Sequence, residues 1–335
     1  MLTVPPFPTV QERAASLRMD LKSLSRKLLL RLGDDCSDPL APEALVNLAA
    51  TCHQMLKTLQ PKLIKLREFR IGVRELCSKA PYQTTFSTLA EAFELSWNDR
   101  SLSLSNLAIL GQLLQKGALP NLLELDLSHR CNSKIEDQGF AALVEDLSPR
   151  SLPALQALYL SFNAIGNKGT RSLSSSLAKG AMANLKHLVL NSNLISDAGM
   201  ASLSGAIAEG ALRKLETLDI DGNMFGDEGV KSFSAAIGVQ FTLPSLRELD
   251  LDRNHITDEG MSVLAKAIAW DPFRAFGLKP PQPALPALEK LRVEGNIGTS
   301  ALVEDVCAHR RFQSISRVAA SRPMRMGMRG LPYCV

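Results

Sequence analysis

Leucine returns along this chain at fixed intervals, and the intervals predict the elements. Leu185, Leu188 and Leu190 occupy the first, fourth and sixth places of a frame that closes on Asn193 at the ninth. Alternation of apolar and polar residues through Leu188 and Leu190 predicts a short strand with one buried face. Behind it, Met200, Leu203 and Ile207 step by three and four, the spacing of one helical face. The same frame opens at Leu155, Leu215 and Leu246, and more loosely at Ala90, Leu122 and Leu288. Start-to-start spacings are therefore 32, 33, 30, 30, 31 and 42 residues. One strand and one helix in so short a unit cannot bury their apolar faces alone, whereas stacked units build a continuous core.

Polar positions recur with the leucines. The ninth place is filled by Asn98, Asn163, Asn193, Asn223, Asn254 and Asn296. A buried asparagine there can bond backbone groups of adjoining turns that water does not reach. Four units carry a glycine six residues later, Gly169, Gly199, Gly229 and Gly260, and two residues before each stands Asn167, Asp197, Asp227 or Asp258. An Asn or Asp so placed suits the N-cap of the helix that follows. The inward helix positions are Thr170, Leu173, Leu177; Met200, Leu203, Ile207; Val230, Phe233, Ile237; and Met261, Leu264, Ile268.

This L-x-x-L-x-L-x-x-N pattern with its Asn ladder resembles the leucine-rich repeat, in the ribonuclease-inhibitor-like class that carries a full helix per unit. The resemblance covers residues 88–311, about seven units. It implies an α/β solenoid with a curved parallel sheet inside and helices outside. The terminal units depart from the pattern, as units that cap a stack against water must. His129 to Asn132 interrupt the second unit, the first lacks the Asp-x-Gly turn, and Gly298 and Thr299 replace it in the last. The wide spacing before Leu288 reflects an inserted loop over residues 270–287, holding Trp270, Phe273, Phe276 and the prolines 280, 281, 283 and 286.

Residues 1–87 read differently. Val10, Ala14, Leu17, Leu21, Leu24 and Leu28 form one helical seam, and Leu45, Ala49, Cys52, Leu56, Leu59, Leu63 and Leu66 form a second. They predict an N-terminal helical hairpin, with a kink or break at Pro61. Such a hairpin either caps the open edge of the first repeat or serves as a dimerisation arm, so the chain is a monomer or a dimer through these helices. Residues 312–335 carry Arg317, Arg322, Arg325 and Arg329 without apolar periodicity and read as a flexible basic tail.

Composition changes the picture little. Aromatics are 5% of 335 residues, so the core is mainly aliphatic. A net charge of +4 is too small to argue for nucleic acid. Six scattered cysteines without a C-x-x-C pair, and no glycosylation sequon, suit a cytoplasmic protein. No run of apolar residues is long enough for a membrane span.

Catalytic motifs are missing from the sequence: there is no P-loop, G-x-S-x-G, H-E-x-x-H or dinucleotide-binding glycine run. Five dispersed histidines do not stand at ligand spacing, and neither a cofactor nor a metal is implied. The expected function is a non-enzymatic scaffold that binds a protein partner on the concave strand face. The alternatives are a GTPase-activating protein of the Ran type, or a sensor or regulatory subunit of a larger complex. In the strand frame the residues between the leucines face the concave side. Early and middle units offer Glu94, Trp97, Glu124, Asp126, His129, Tyr159, Phe162, His187, Val189 and Asn191. Later units bring together Asp219, Asp221, Glu248, Asp250 and Asp252. Five carboxylates on adjacent strands repel one another unless cations answer them. The candidate binding set is accordingly Tyr159, Phe162 and His187 with those five carboxylates, and a basic segment of a partner is the ligand they suit.

Overall fold

The computed structural model describes residues 53–80, 85–98, 100–129, 134–239, 242–269, 285–301, 303–305 and 313–314. The chain divides into two compact units, residues 1–74 and 75–335. In the first unit the described residues belong to helix α1 (His53–Lys79), which runs through Pro61 without a break. Proline removes one intrahelical bond there, and the turns on both sides carry the helix onward. The first helix of the expected hairpin, most of the inserted loop and the tail beyond Ser314 lie outside the described residues.

The second unit is the repeat array. Its strands are β1 (Glu94–Ser96), β2 (Glu124–Asp126), β3 (Ala157–Tyr159), β4 (His187–Val189), β5 (Thr217–Asp219), β6 (Glu248–Asp250), β7 (Lys290–Arg292) and β8 (Gln313–Ser314). They form one parallel sheet in sequence order. Gln313 and Ser314, which the sequence assigns to the tail, pair with Lys290 and Leu291 and add the eighth strand. After the short helix α2 (Phe86–Ala90), one helix follows each of the first six strands. These are α3 (Leu104–Gln115), α4 (Asp137–Val144), α5 (Asn167–Ala178), α6 (Asp197–Ala208), α7 (Asp227–Ile237) and α8 (Asp258–Ala269). Each packs on the next in order.

The leucine frame accounts for this arrangement. Leu125, Leu158, Leu188, Leu218, Leu249 and Leu291 are register partners across the sheet, and all are buried. The inward helix residues named above are buried behind them. Parallel strands cannot be joined by a tight turn, so each needs a crossover, and the helix supplies it.

The first unit requires a correction of frame. Leu95 pairs with Leu125, so the unit opens at Ala92 rather than Ala90. Trp97 then takes the sixth place, in the core with 1% exposure, rather than the strand face. Asn98 falls at the seventh place, is exposed, and is not part of the asparagine ladder. His129 is also buried rather than displayed. Irregular flanks concealed the register here, because the first unit has neither the Leu nor the Asn that fix it elsewhere.

The other asparagines bind as the frame demands. Asn193 accepts from Ile165 N of the preceding unit (3.1 Å) and donates to Leu160 O and Leu190 O (both 2.9 Å). Asn163, Asn223, Asn254 and Asn296 repeat these contacts. Each amide thus reaches back one unit and satisfies backbone groups sealed from water.

The Asp-x-Gly turns do something other than cap their own helices. The N-cap positions of α5, α6 and α7 are Gly166, Ser196 and Gly226, none of which caps with a side chain. Asp197, first residue of α6, instead accepts from Gly226 N (2.7 Å) and Gly229 N (2.8 Å) at the start of α7. Asp137 does the same for α5, Asn167 for α6 and Asp227 for α8. A side-chain oxygen one repeat earlier therefore satisfies the orphan N–H groups of the next helix, and where it belongs to an Asp its charge also complements the helix dipole. Glycine is required at the receiving site, since a Cβ on Gly260 would stand 2.3 Å from Asp227 Oδ1. Helix α3 has no such preceding acid and caps itself, through reciprocal bonds between Ser103 and Asn106.

Candidate functional site

With one sheet face covered by helices, the other presents the third and fifth places of each repeat frame. In order these are Glu94 and Ser96, Glu124 and Asp126, Ala157 and Tyr159, His187 and Val189, Thr217 and Asp219, Glu248 and Asp250, and Lys290 and Arg292. Seventh-position residues lie on the same side but deeper. Ser161, Asn191, Asp221 and Asp252 are all buried. Eighth-position residues close a tight turn in left-handed backbone: Phe162 (φ 59°), Ser192 (56°), Gly222 (64°), Arg253 (50°) and Gly295 (68°). Holding Phe162 and Arg253 in that conformation costs on the order of 1 kcal/mol each. Phe162 is 36% exposed there.

The structure brings the five later carboxylates together but does not leave them free. Asp221 is gripped by Arg253, two of whose nitrogens bond its two oxygens. Lys290 pairs with Glu248, and Arg292 pairs with Asp250 at 2.9 Å. Asp252 accepts from Glu294 N at 2.7 Å, and Asp219 accepts from Asp221 N at 3.2 Å. Asp221, Asp250 and Asp252 are only 2–4% exposed. What reaches the surface from this region is therefore a set of ion pairs, with the Arg253 side chain 58% exposed.

Signals for two of these pairs stood in the sequence. Glu248 and Lys290 hold the same place in successive units, as do Asp250 and Arg292, so the register alone makes them neighbours. The Asp221–Arg253 pair was harder to find, because it joins different places of the frame across a left-handed turn.

Five carboxylates against three cations leave the cluster with a formal excess of two negative charges. Burial, reinforced by the charge of Asp250, pushes Asp219 up to about 7. Burial and Asp250 likewise push Asp252 up to about 7. As pH falls through about 7, protonation of these two acids relieves the excess that the cations leave. Carboxylate oxygens of Asp219, Asp221 and Asp250 lie within 4.8 Å of one another. A hard cation takes six or more oxygens, whereas guanidiniums already occupy Asp221 and Asp250, so the donor set suits ion pairing.

His187 Nδ1 lies 3.1 Å from Thr217 Oγ1, one strand along. Tyr159 is half-buried on β3. Its phenol is pushed up by burial, and further by Glu124, Asp126 and Glu94.

At this end of the sheet the electrostatics are different. Glu94 and Glu124 are exposed register partners. Asp126 accepts from Ser96 Oγ (3.3 Å) and Ser128 N (2.9 Å). Among the described residues no Lys or Arg forms an ion pair with any of the three.

Comparison with known proteins matches the architecture. A family model described as the leucine-rich repeat matches residues 152–174, 181–204, 211–234 and 242–265, four consecutive units. No curated protein matches the chain significantly. Among the described residues no helix is long and apolar enough to cross a membrane.

Proposed function

Because the chain is a leucine-rich repeat protein, we propose that it is a non-enzymatic scaffold that binds a protein partner on the open strand face of its array. The observation that carries this reading is the contrast between the two sheet faces. One is filled by helices and aliphatic side chains. The other sets a graded row of acidic, aromatic and paired charged side chains on seven parallel strands, held rigid from below by the asparagine ladder. An extended, rigid and chemically varied surface suits a macromolecule better than a small substrate, which binds in an enclosed pocket.

Tyr159, Phe162 and His187 supply the accessible anchors, and aromatic residues dominate the energetics of such surfaces. Asp219 and Glu248 stand at the same level. Asp221, Asp250 and Asp252 lie beneath and act by fixing Arg253, Arg292 and the Glu294 backbone in place. The scattered cysteines without a C-x-x-C pair favour a cytoplasmic location.

Site-specific photo-crosslinking in cells tests the reading. A photoreactive residue replacing Val189 is expected to yield protein adducts, whereas one replacing the exposed helix residue Ser175 is not. Adducts confined to the helix side would overturn it.

A further inference from the structure

We infer that strands β1–β3 form a docking surface for an arginine- or lysine-rich segment of another protein. The inference rests on the strand-face reading and adds which strands bind and what chemistry they accept. Adjacent strands stand about 4.8 Å apart, and like charges directly opposite one another destabilise a sheet. Glu94 and Glu124 are such a pair, and Asp126 follows two residues along β2.

The same sheet shows how the chain removes this repulsion when it does so itself. On β5–β7 a Lys or Arg one unit further on answers Asp221, Glu248 and Asp250, and burial raises the pKa of Asp219 and Asp252. On β1 and β2 no Lys or Arg among the described residues answers the acids. Glu94 and Glu124 are exposed, and Asp126 has neutral donors only among the described residues. A basic partner would complete the pattern that the later strands complete internally.

A second feature points to the same ligand class. Tyr159 stands on the neighbouring strand at the register position of Asp126. Its side chain is half-buried beside the carboxylates, and burial together with their charge raises the pKa of its phenol. An arginine laid on this surface gains carboxylate bonds and a ring face at once, which a planar guanidinium is built to use. Phe162, at the rim of the same unit, offers an apolar contact for a residue flanking the basic one.

The probe is a fluorescent oligo-arginine peptide containing one leucine, titrated into the full chain by anisotropy at ~0.15 M ionic strength. Wild type is expected to bind. Reversal by Glu124→Lys with Asp126→Lys should weaken binding by ~10-fold or more, and the milder Glu124→Gln with Asp126→Asn should weaken it several-fold. Glu145→Lys with Glu209→Lys changes the net charge equally on the helix side and should leave affinity within ~2-fold. Thermal unfolding verifies that each variant is folded.

Equal losses from strand-side and helix-side reversals would reduce the effect to bulk charge and overturn the proposal. So would failure of wild type to bind, while adducts from position 189 would still uphold the strand-face reading. If the peptide binds only the variant carrying Arg322→Gln, Arg325→Gln and Arg329→Gln, the occupant is the chain's own C-terminal segment, and the proposal of a separate partner falls.

Discussion

A single side chain shows how tightly charge is constrained on the strand face. Asp219 sits beside Asp250 and accepts from the backbone N–H of Asp221, and its pKa of about 7 compares with ~3.9 for an unfolded aspartate. Between those values the folded state holds more protons than the unfolded one. Stability from this residue is therefore full below about pH 4 and declines as pH rises towards 7. Asp219→Asn keeps the shape, the acceptor and the neutral charge. It should raise stability at pH 8, by up to ~4 kcal/mol for a pKa raised by ~3, and change little at pH 4, as read by urea unfolding at the two pH values. A loss of stability at pH 8 would show that the ionised carboxylate is needed. Asp227 and Asp258 behave oppositely. Burial opposes ionisation of Asp227, but bonds from Thr257 and Gly260 outweigh it, and Thr299 holds Asp258 down in the same direction. Their contribution is present above about pH 4 and is lost as pH falls below it.

Helices and strands were largely legible in the sequence, and the contacts between units were less so. Leucine spacing predicts every strand from Leu122 to Leu288, since a period-two face and a period-3.6 face alternate without ambiguity. The first unit slipped by two residues because Ala92 and Arg100 occupy the places that Leu and Asn mark elsewhere. The Asp-x-Gly turn was visible as a capping motif, but its direction was not. Sequence proximity suggests a bond within the helix, whereas stacking sets the acid beside the start of the next one. Asp227→Ala tests this. Its own helix, α7, should keep its protection from amide exchange, while Thr257 to Gly260 at the start of α8 should lose it, with a cost of ~1–2 kcal/mol. Fraying of α7 instead would restore the local reading. At the candidate site, the accessible places of Tyr159 and Phe162 on the strand side were legible. The neutralisation of the acidic block was legible only in part: the register sets Lys290 beside Glu248 and Arg292 beside Asp250, whereas the Asp221–Arg253 pair joins different places of the frame.

Across the whole array, two sets of bonds run in opposite directions. Asparagines reach back to the preceding unit, and Asp137, Asn167, Asp197 and Asp227 reach forward to the next helix. Every interior unit thus presents the same sockets to its neighbours whatever its strand-face residues are. Excision of residues 185–214 would bring Asn167 to Gly226 and Gly229, and Asn223 to Leu160 and Ile165, with each donor meeting an acceptor of the kind it already has. Such a shortened chain should unfold cooperatively with a melting temperature only ~5 °C lower, by scanning calorimetry. An out-of-phase excision of residues 185–210 should give no cooperative transition. Copy number is thereby uncoupled from recognition: a lineage can lengthen or trim this molecule by whole modules, widening or narrowing what it grasps, without redesigning a single joint.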